Sequence, residues 1–365
     1  MRVRALMGAG AQRESYTVVG EDGRVVEPVD DFLAMCTDRE YSPNTIRARA
    51  YDLVLWLRFL ALLRVDLLAA MPEHVDQFAG WLRRPVQPGA LALAATVVPA
   101  REASTVNRAL DSVAALYEFL ARRGVGLAAQ LATYRAARGG HDRRFLAGIA
   151  TGPVKVRPTK LKTPKNRPAT LTDEQVQRVL DACTRLRDRL LIALMFETGC
   201  RVGQALGLRH EDIDTDRGAI TLVPRRDNAN RARGKHREPK QIPVRRALCD
   251  LYVDYLFAEY GELDNDYVFV NLWEAPVGHA MTYWGAMSLV KRLRRRADVD
   301  FHPHMFRHSH ATALLRAGVR VEIVSELLTH ASARTTDEIY NHMDTDDMAN
   351  ELVRSGFWAS EETDR

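Results

Sequence analysis

The sequence predicts a mainly α-helical protein with a small β-sheet, arranged as a helical N-terminal domain followed by an α+β domain. Three observations carry that expectation. Apolar residues recur at helical spacing through most of the chain, and runs with strand character are few and short. A stretch rich in proline and lysine at 152–168 separates two patterned regions. At 365 residues the chain is too long for one ordinary core, so two domains are the natural expectation.

The elements follow in order. Residues 14–26 read as a small surface hairpin, with Tyr16–Val19 and Arg24–Val26 flanking the turn-rich Gly20-Glu21-Asp22-Gly23. Ser42-Pro43 is an N-cap and first-turn pair, and behind it Ile46, Ala50, Leu53, Leu57 and Leu60 share one helical face. Pro72 opens a second helix through Val75, Phe78 and Leu82. Ser104 opens a third through Val106, Leu110, Val113, Tyr117 and Leu120, with Gly124 past its end. These stripes are core and not a cofactor box. Residues 85–100, with Pro85, Pro88 and Pro99, read as a long loop. The second domain opens at Thr172, which forms a capping box with Gln175 ahead of Val176, Val179 and Leu180. An apolar helix over Arg187–Glu197 is closed by Gly199. Ala219–Val223 and Gln241–Val244 read as strands around a basic stretch, and helices fill most of 246–355.

The net charge of +5 is modest, so its distribution matters more than its sum. Between Gly152 and Pro168 stand Lys155, Arg157, Lys160, Lys162, Lys165 and Arg167, with four prolines and no acidic residue. Proline favours extended backbone, and an extended cationic strap suits a phosphate backbone because each neutralised phosphate releases counterions. A plain solvated linker is the alternative. Cys36, Cys183, Cys200 and Cys249 stand far apart with no CxxC pair, which argues against a disulfide framework and a zinc ribbon and fits reduced thiols. Arg2 and Arg4 precede no long apolar stretch, and no apolar run approaches the roughly 20 residues of a membrane span. The expected location is the cytoplasm, in association with the nucleoid.

Six residues in the C-terminal half match what phosphodiester transfer without a metal requires. Such chemistry needs a nucleophile able to hold phosphate, cations against the nonbridging oxygens, an acid for the leaving oxygen and a base for the nucleophile. Thr198-Gly199-Cys200-Arg201 sets an arginine at a glycine turn past a buried helix. His304 and Arg307 stand at i and i+3, on one helical face, with Met305 and Phe306 turned to the core. Leu327-Leu328-Thr329-His330 ends an apolar helix in a histidine. Thr335 to Tyr340 is a capped helix start carrying a tyrosine, and Gly234-Lys235 lies in the basic hairpin.

These blocks, in this order, resemble the tyrosine recombinases or phage-type integrases, strongly over about 172–345 and more weakly over 27–140, including the run Ser42 to Thr45. The resemblance implies an N-terminal hairpin or arm at 1–26, a helical core-binding domain at 27–140, a basic interdomain linker at 141–170, a catalytic domain at 171–345 and a C-terminal tail at 346–365. It implies that Tyr340 forms a 3′-phosphotyrosyl link, that Arg201 and Arg307 clamp the phosphate, that Lys235 protonates the leaving 5′ oxygen, that His304 assists proton transfer and that His330 hydrogen-bonds the phosphate. Lys240 is the alternative to Lys235. Neither metal nor other cofactor is implied. The expected partners are double-stranded DNA recombination sites and three further copies of the chain, a homo-tetramer on two duplexes with Leu352, Phe357 and Trp358 docking on a neighbour or on their own domain. Accessory directionality factors stay open, as does the type of mobile element, and no membrane partner is expected.

The sequence departs from the family pattern at Gln204, where an acidic residue is usual, at Thr329, where glycine is common, and at His210, where an aromatic such as tryptophan is common. Lys160, Lys162, Lys165, Arg231, Arg233 and Lys240 are the expected DNA-phosphate contacts, together with Arg225 and Arg226 of the hairpin. His302, His304, His308 and His310 cluster, but a zinc site is set aside because no HExxH glutamate accompanies them. Two rival functions remain at this point. A type IB topoisomerase uses a similar set of residues, and a DNA-binding regulator could rest on a degenerate recombinase; the intact set and the helical N-terminal region favour a recombinase.

Overall fold

A computed structural model describes residues 1–7, 14–84, 101–127, 133–135, 154–156, 160–163, 168–234 and 238–328. The chain divides into two compact units, Met1–Lys165 and Asn166–Arg365, and the expected mainly helical architecture with a small sheet is what they contain.

The first unit opens with an antiparallel pair, β1 (Arg2–Met7) and β2 (Glu14–Val19), in register from Arg2 opposite Val19 to Met7 opposite Glu14. This corrects the expected hairpin. Arg24–Val26 was the expected partner of β2, yet Val25 makes only one bridge to Val19 before α1 (Glu27–Asp38) begins. Nor is the pair a surface ornament, because Tyr16, Val18 and Val19 are buried in the core of the unit. The sequence hid β1 because its exposed Arg2 and Arg4 alternate with Val3, which alone of the three packs inward.

Three further helices follow in the unit: α2 (Pro43–Leu63), α3 (Pro72–Arg83) and α4 (Ala103–Leu120). Ser42 caps α2 as expected, its hydroxyl accepting from the Thr45 amide at 3.2 Å. The apolar stripes of α2, α3 and α4 converge on Trp56, whose ring meets Phe78 edge-on at 5.1 Å and stacks near Phe59 at 5.9 Å. Its indole N–H donates to the Tyr117 hydroxyl at 3.2 Å, which donates in turn to the Leu67 carbonyl at 2.7 Å. Beside this cluster Asp52 is buried between α2 and α4. Burial raises its pKa, against the opposing pull of Arg108 at 3.0 Å and the Ser112 hydroxyl at 2.9 Å.

The described parts of the proline-rich stretch are held by the first unit and are not a bare linker. Its Val154–Val156 (β4) pairs antiparallel with Thr133–Arg135 (β3). Further on, the Asn107 side chain on α4 takes both backbone groups of Leu161, accepting at 2.8 Å and donating at 2.9 Å. Proline leaves neighbouring amides without a ladder, and a side-chain amide supplies the missing partners.

The second unit begins with α5 (Asp173–Asp181), capped by the predicted Thr172–Gln175 box. Next comes α6 (Leu186–Thr198), the centre of the core, with Leu190, Leu191, Ile192, Leu194 and Met195 all buried. The Glu259 carboxylate caps its N-terminus, accepting from the amides of Leu186 and Arg187 at 3.0 and 2.9 Å. A short helix, α7 (Val202–Ala205), follows the turn at Gly199. The sheet has three antiparallel strands in chain order, β5 (Ile213–Asp214), β6 (Ala219–Leu222) and β7 (Lys240–Pro243), with Ile220 between Ile213 and Ile242. The two-residue β5 is too short to leave an alternating pattern. Helices α8 (Arg246–Tyr255), which runs on into a π-helical turn at Leu256–Tyr260, α9 (Tyr283–Ala297), α10 (Pro303–Arg316) and α11 (Val321–Leu327) complete the unit.

Gly199 shows how α6, α10 and α11 meet. Its φ of +61° closes α6, and a Cβ there would lie 2.7 Å from a Leu328 methyl and 3.0 Å from the His310 ring. His310 is largely buried in this contact. Burial first, then the charges of Arg307 and Arg245, bring its pKa down from 6.5 to about 4.

Two predictions follow from this packing. Trp56→Ala removes the side chain on which three helices converge and should destabilise the N-terminal unit by about 3–5 kcal/mol in denaturant unfolding. His310 is held neutral, so its depressed pKa contributes stability that is present above the unfolded value of 6.5 and lost as pH falls toward about 4. The melting temperature should therefore fall through that window, and the fall should be shallower in His310→Asn, which has no proton to take up.

Candidate active site

Arg307 is the centre of the site. It projects from the second turn of α10 and is 3% exposed. Its guanidinium donates to the Gly199 carbonyl at 2.9 Å and to the Leu328 carbonyl. Both carbonyls close helices, Gly199 that of α6 and Leu328 that of α11. A buried cation therefore has its donors met by the negative ends of two helix dipoles, which satisfy the N–H groups without cancelling the full charge. The same two bonds bring the ends of α6 and α11 to Arg307, and Gly199 lies two residues before Arg201. As expected from the i, i+3 spacing, Met305 and Phe306 are buried in the core while His304 sits exposed on the first turn of the same helix.

Arg201 is the N-cap residue of α7, with extended backbone at φ −76° and ψ 149°. Its amide donates to the side-chain oxygen of Gln204 at 2.8 Å, and Gln204 is buried. A neutral side-chain oxygen thus accepts from the Arg201 amide at the position where an acid was expected. His210 likewise takes an aromatic's place. Its ring meets Tyr260 edge-on at 4.8 Å, and its Nδ1 shares a 2.7 Å hydrogen bond with the Tyr252 hydroxyl. Burial pushes its pKa down. It borders an open pocket of about 460 Å³ with Tyr252, Tyr260 and Asp266.

The loop from β6 to β7 folds back onto α7. A Cβ on Gly203 would stand 2.5 Å from the Arg233 carbonyl oxygen, so only glycine admits that approach. Two asparagines hold the loop. Asn230 donates to the carbonyls of Leu206 and Met281, each at 2.8 Å, and accepts from the Ala232 amide at 3.0 Å. Asn228 donates to the Ala232 carbonyl at 2.9 Å and accepts from the Tyr267 hydroxyl at 3.2 Å, while that hydroxyl accepts from the Ala229 amide at 2.8 Å. Arg231 completes the turn in the left-handed region at φ 58°. Sequence reading missed both asparagines. The available signal was an Asn-x-Asn pair in a basic stretch, since asparagine bonds local backbone and tolerates turn geometry.

The basic residues divide by what already holds them. Arg225, expected among the phosphate contacts, is instead committed to the protein: it donates to Asp212 at 2.6 and 2.8 Å and to Glu211 at 2.6 Å, and these carboxylates raise its pKa. Lys160 pairs with Asp111 at 3.1 Å, and Lys240, within β7, pairs with Glu326. Lys162 and Arg231 are exposed and Arg233 is half-buried. His304 and His308 bring their ring centres to 6.1 Å. Burial first, then the neighbouring His304, Arg307 and His302, bring the His308 pKa down to about 4, so His308 is neutral beside the site. Lys165, Lys235, His330 and Tyr340 lie outside the described residues. Residues 335–340, the expected capped helix start, and 346–365, the expected tail, also lie outside them.

The chain is similar to known proteins along most of its length. The model of the phage integrase family matches residues 169–346, and that of its N-terminal SAM-like domain matches 29–124. Transposase A from transposon Tn554 of Staphylococcus aureus is 36% identical over 338 residues, covering 92% of this chain and 93% of its own. Tyrosine recombinase XerA of Thermococcus kodakarensis is 34% identical over 181 residues, covering 49% of this chain and 60% of its own. Among solved structures, the Tn1549 transposon integrase in complex with transposon right end DNA shares the fold at a TM-score of 0.60 and 14% identity, over 90% of this chain and 99% of that one. With family models matching both halves and a relative this similar along nearly its whole length, the chain belongs to the phage integrase family and is a tyrosine recombinase.

Proposed function

We propose that this recombinase cuts and rejoins double-stranded DNA through a covalent phosphotyrosine at Tyr340. The tyrosine oxygen forms a bond to phosphorus as the bond from phosphorus to the 5′ oxygen breaks. The tyrosine proton passes toward His304, and Lys235 gives a proton to the leaving 5′ oxygen. Arg201 and Arg307 hold the nonbridging oxygens, and His330 donates a hydrogen bond to them. A phenol with a pKa of about 10 is mostly protonated at neutral pH, so the proton acceptor is needed. Rejoining reverses these steps with the 5′ hydroxyl of the partner strand. One ester replaces another at each step, so the reaction needs no nucleotide hydrolysis.

The observation that supports this reading is the pair of bonds from Arg307 to Gly199 and Leu328, which gathers the two arginine blocks and the chain leading to His330 at one buried cation. In this reading 27–140 is the core-binding domain, 141–170 the basic linker with Lys162 and Lys165 toward phosphates, and 171–345 the catalytic domain. The arm is 1–26 and the tail 346–365. The work is done in the cytoplasm, on the nucleoid, by four copies on two duplexes. The similarity to a transposon's transposase favours service to a mobile element.

A nicked suicide substrate resolved on a denaturing gel tests the chemistry. Wild type should form a covalent adduct, undiminished in EDTA, and Tyr340→Phe should form none; an adduct with Tyr340→Phe rules out this nucleophile. Arg201→Lys should slow adduct formation by about 10²–10³-fold, the cost of losing one well-placed donor to developing charge. Assembly is tested by a chain ending at residue 346, which should bind one DNA site normally but yield fewer paired-site complexes on native gels.

A further inference from the structure

We propose that Asn230 is a positioning residue for Arg201. It fixes the far end of the short helix that carries the arginine, and so sets where the guanidinium meets the scissile phosphate. The inference rests on the reading of Arg201 as a phosphate clamp and deepens it. Arg201 is the N-cap residue of α7, and Leu206 is its C-cap. A helix of four residues is far below the roughly 12–15 that hold together alone, so its placement comes from what it packs against. The Arg201 carbonyl accepts from the amides of Gln204 and Ala205 at 2.8 and 3.0 Å, and the Val202 carbonyl accepts from that of Leu206 at 2.9 Å. Arg201 and Leu206 are thus the two ends of one hydrogen-bonded turn, and a movement of either is carried to the other.

Asn230 grips the Leu206 end. Its side-chain nitrogen donates to the Leu206 carbonyl and to the Met281 carbonyl, each at 2.8 Å, so both of its protons are used. Its oxygen accepts from the Ala232 amide at 3.0 Å. Met281 is a fixed point, because it is buried and its amide donates to the carbonyl of buried Phe269 at 2.8 Å. One side-chain nitrogen therefore ties the arginine's helix to the core of its unit. The same loop braces that helix a second time, with the Arg233 carbonyl set against Gly203. Leu206 is itself buried, so its carbonyl without Asn230 is a polar group short of a donor, and the turn shifts to find another. An error of about 1 Å in the placement of a reacting group costs about 10²-fold in rate.

The test uses the full chain on a nicked suicide DNA whose scissile phosphate is either an ordinary diester or a methylphosphonate. Methyl in place of one nonbridging oxygen removes the negative charge that a misplaced arginine fails to meet. Each rate of adduct formation is taken relative to wild type on the same DNA. Arg201→Ala should be slowed by about 10²–10³-fold on the diester and far less on the methylphosphonate. Asn230→Ala should follow it, slowed by about 10²-fold on the diester and close to wild type on the methylphosphonate. Asn230→Asp keeps the size of the side chain and the bond to the Ala232 amide but loses both donated bonds. It should show the same pattern, and it covers the case in which Asn230→Ala fails to fold. A diester rate equal to wild type, equal slowing on both DNAs, or loss of folding in both variants overturns the proposal and leaves Arg201 as the clamp. If Arg201→Ala keeps its full penalty on the methylphosphonate, the clamp reading of Arg201 itself fails, and the role of Asn230 falls with it.

Discussion

The second unit is organised around a buried cation. Arg307 is almost fully enclosed, and a guanidinium in that position is costly unless its N–H groups are met. Two helix ends meet them, the carbonyls of Gly199 and Leu328. That solution imposes strict terms. The turn at Gly199 must take a left-handed conformation and leave no room for a Cβ, because Leu328 and His310 occupy the space. The helices α6, α10 and α11 can meet only at that distance, and His310 must remain neutral in the contact. Satisfying one charge thereby fixes the relative placement of segments more than a hundred residues apart in the chain.

Around this centre, the departures from the family pattern are chemically conservative in what they do. Gln204 supplies the oxygen that caps Arg201, and it lacks only the charge. A neutral acceptor next to an arginine leaves more of the cation's field for an anionic substrate than a carboxylate would. His210 keeps an aromatic ring against Tyr260 and adds a hydrogen bond to Tyr252.

The basic residues teach a similar distinction. A lysine or arginine is counted the same way wherever it stands in a sequence, but its availability depends on the carboxylates that the fold brings beside it. Arg225 meets Asp212 and Glu211, and Lys160 meets Asp111. Exposed pairs of the second kind are weak, whereas two carboxylates hold the half-buried Arg225 to the protein. Helix α9 also carries exposed Lys291, Arg294, Arg295 and Arg296, a run of charge that sequence reading passed over because it sits inside an amphipathic helix; Arg294 is paired with Asp300, and Arg296 donates to the Thr184 hydroxyl.

By itself the sequence determined the helices with strong periodicity and explicit caps, such as those opened by Ser42, Pro72 and Thr172, since caps and apolar spacing are local properties. It also determined the order of the arginine, histidine and tyrosine blocks and hence the family, because each block is a short contiguous motif. Tertiary structure decided what depends on partners distant in the chain. The strand β1 was legible only through its pairing with β2, and β5 was too short to show a period. The strap's attachment through Asn107 and Leu161, the commitment of Arg225, and the bridging role of Arg307 all join residues whose separation in sequence gives no hint of contact. Hydrogen bonds and ion pairs of that kind are set by where the folded backbone delivers each group, and no periodicity in the chain encodes them.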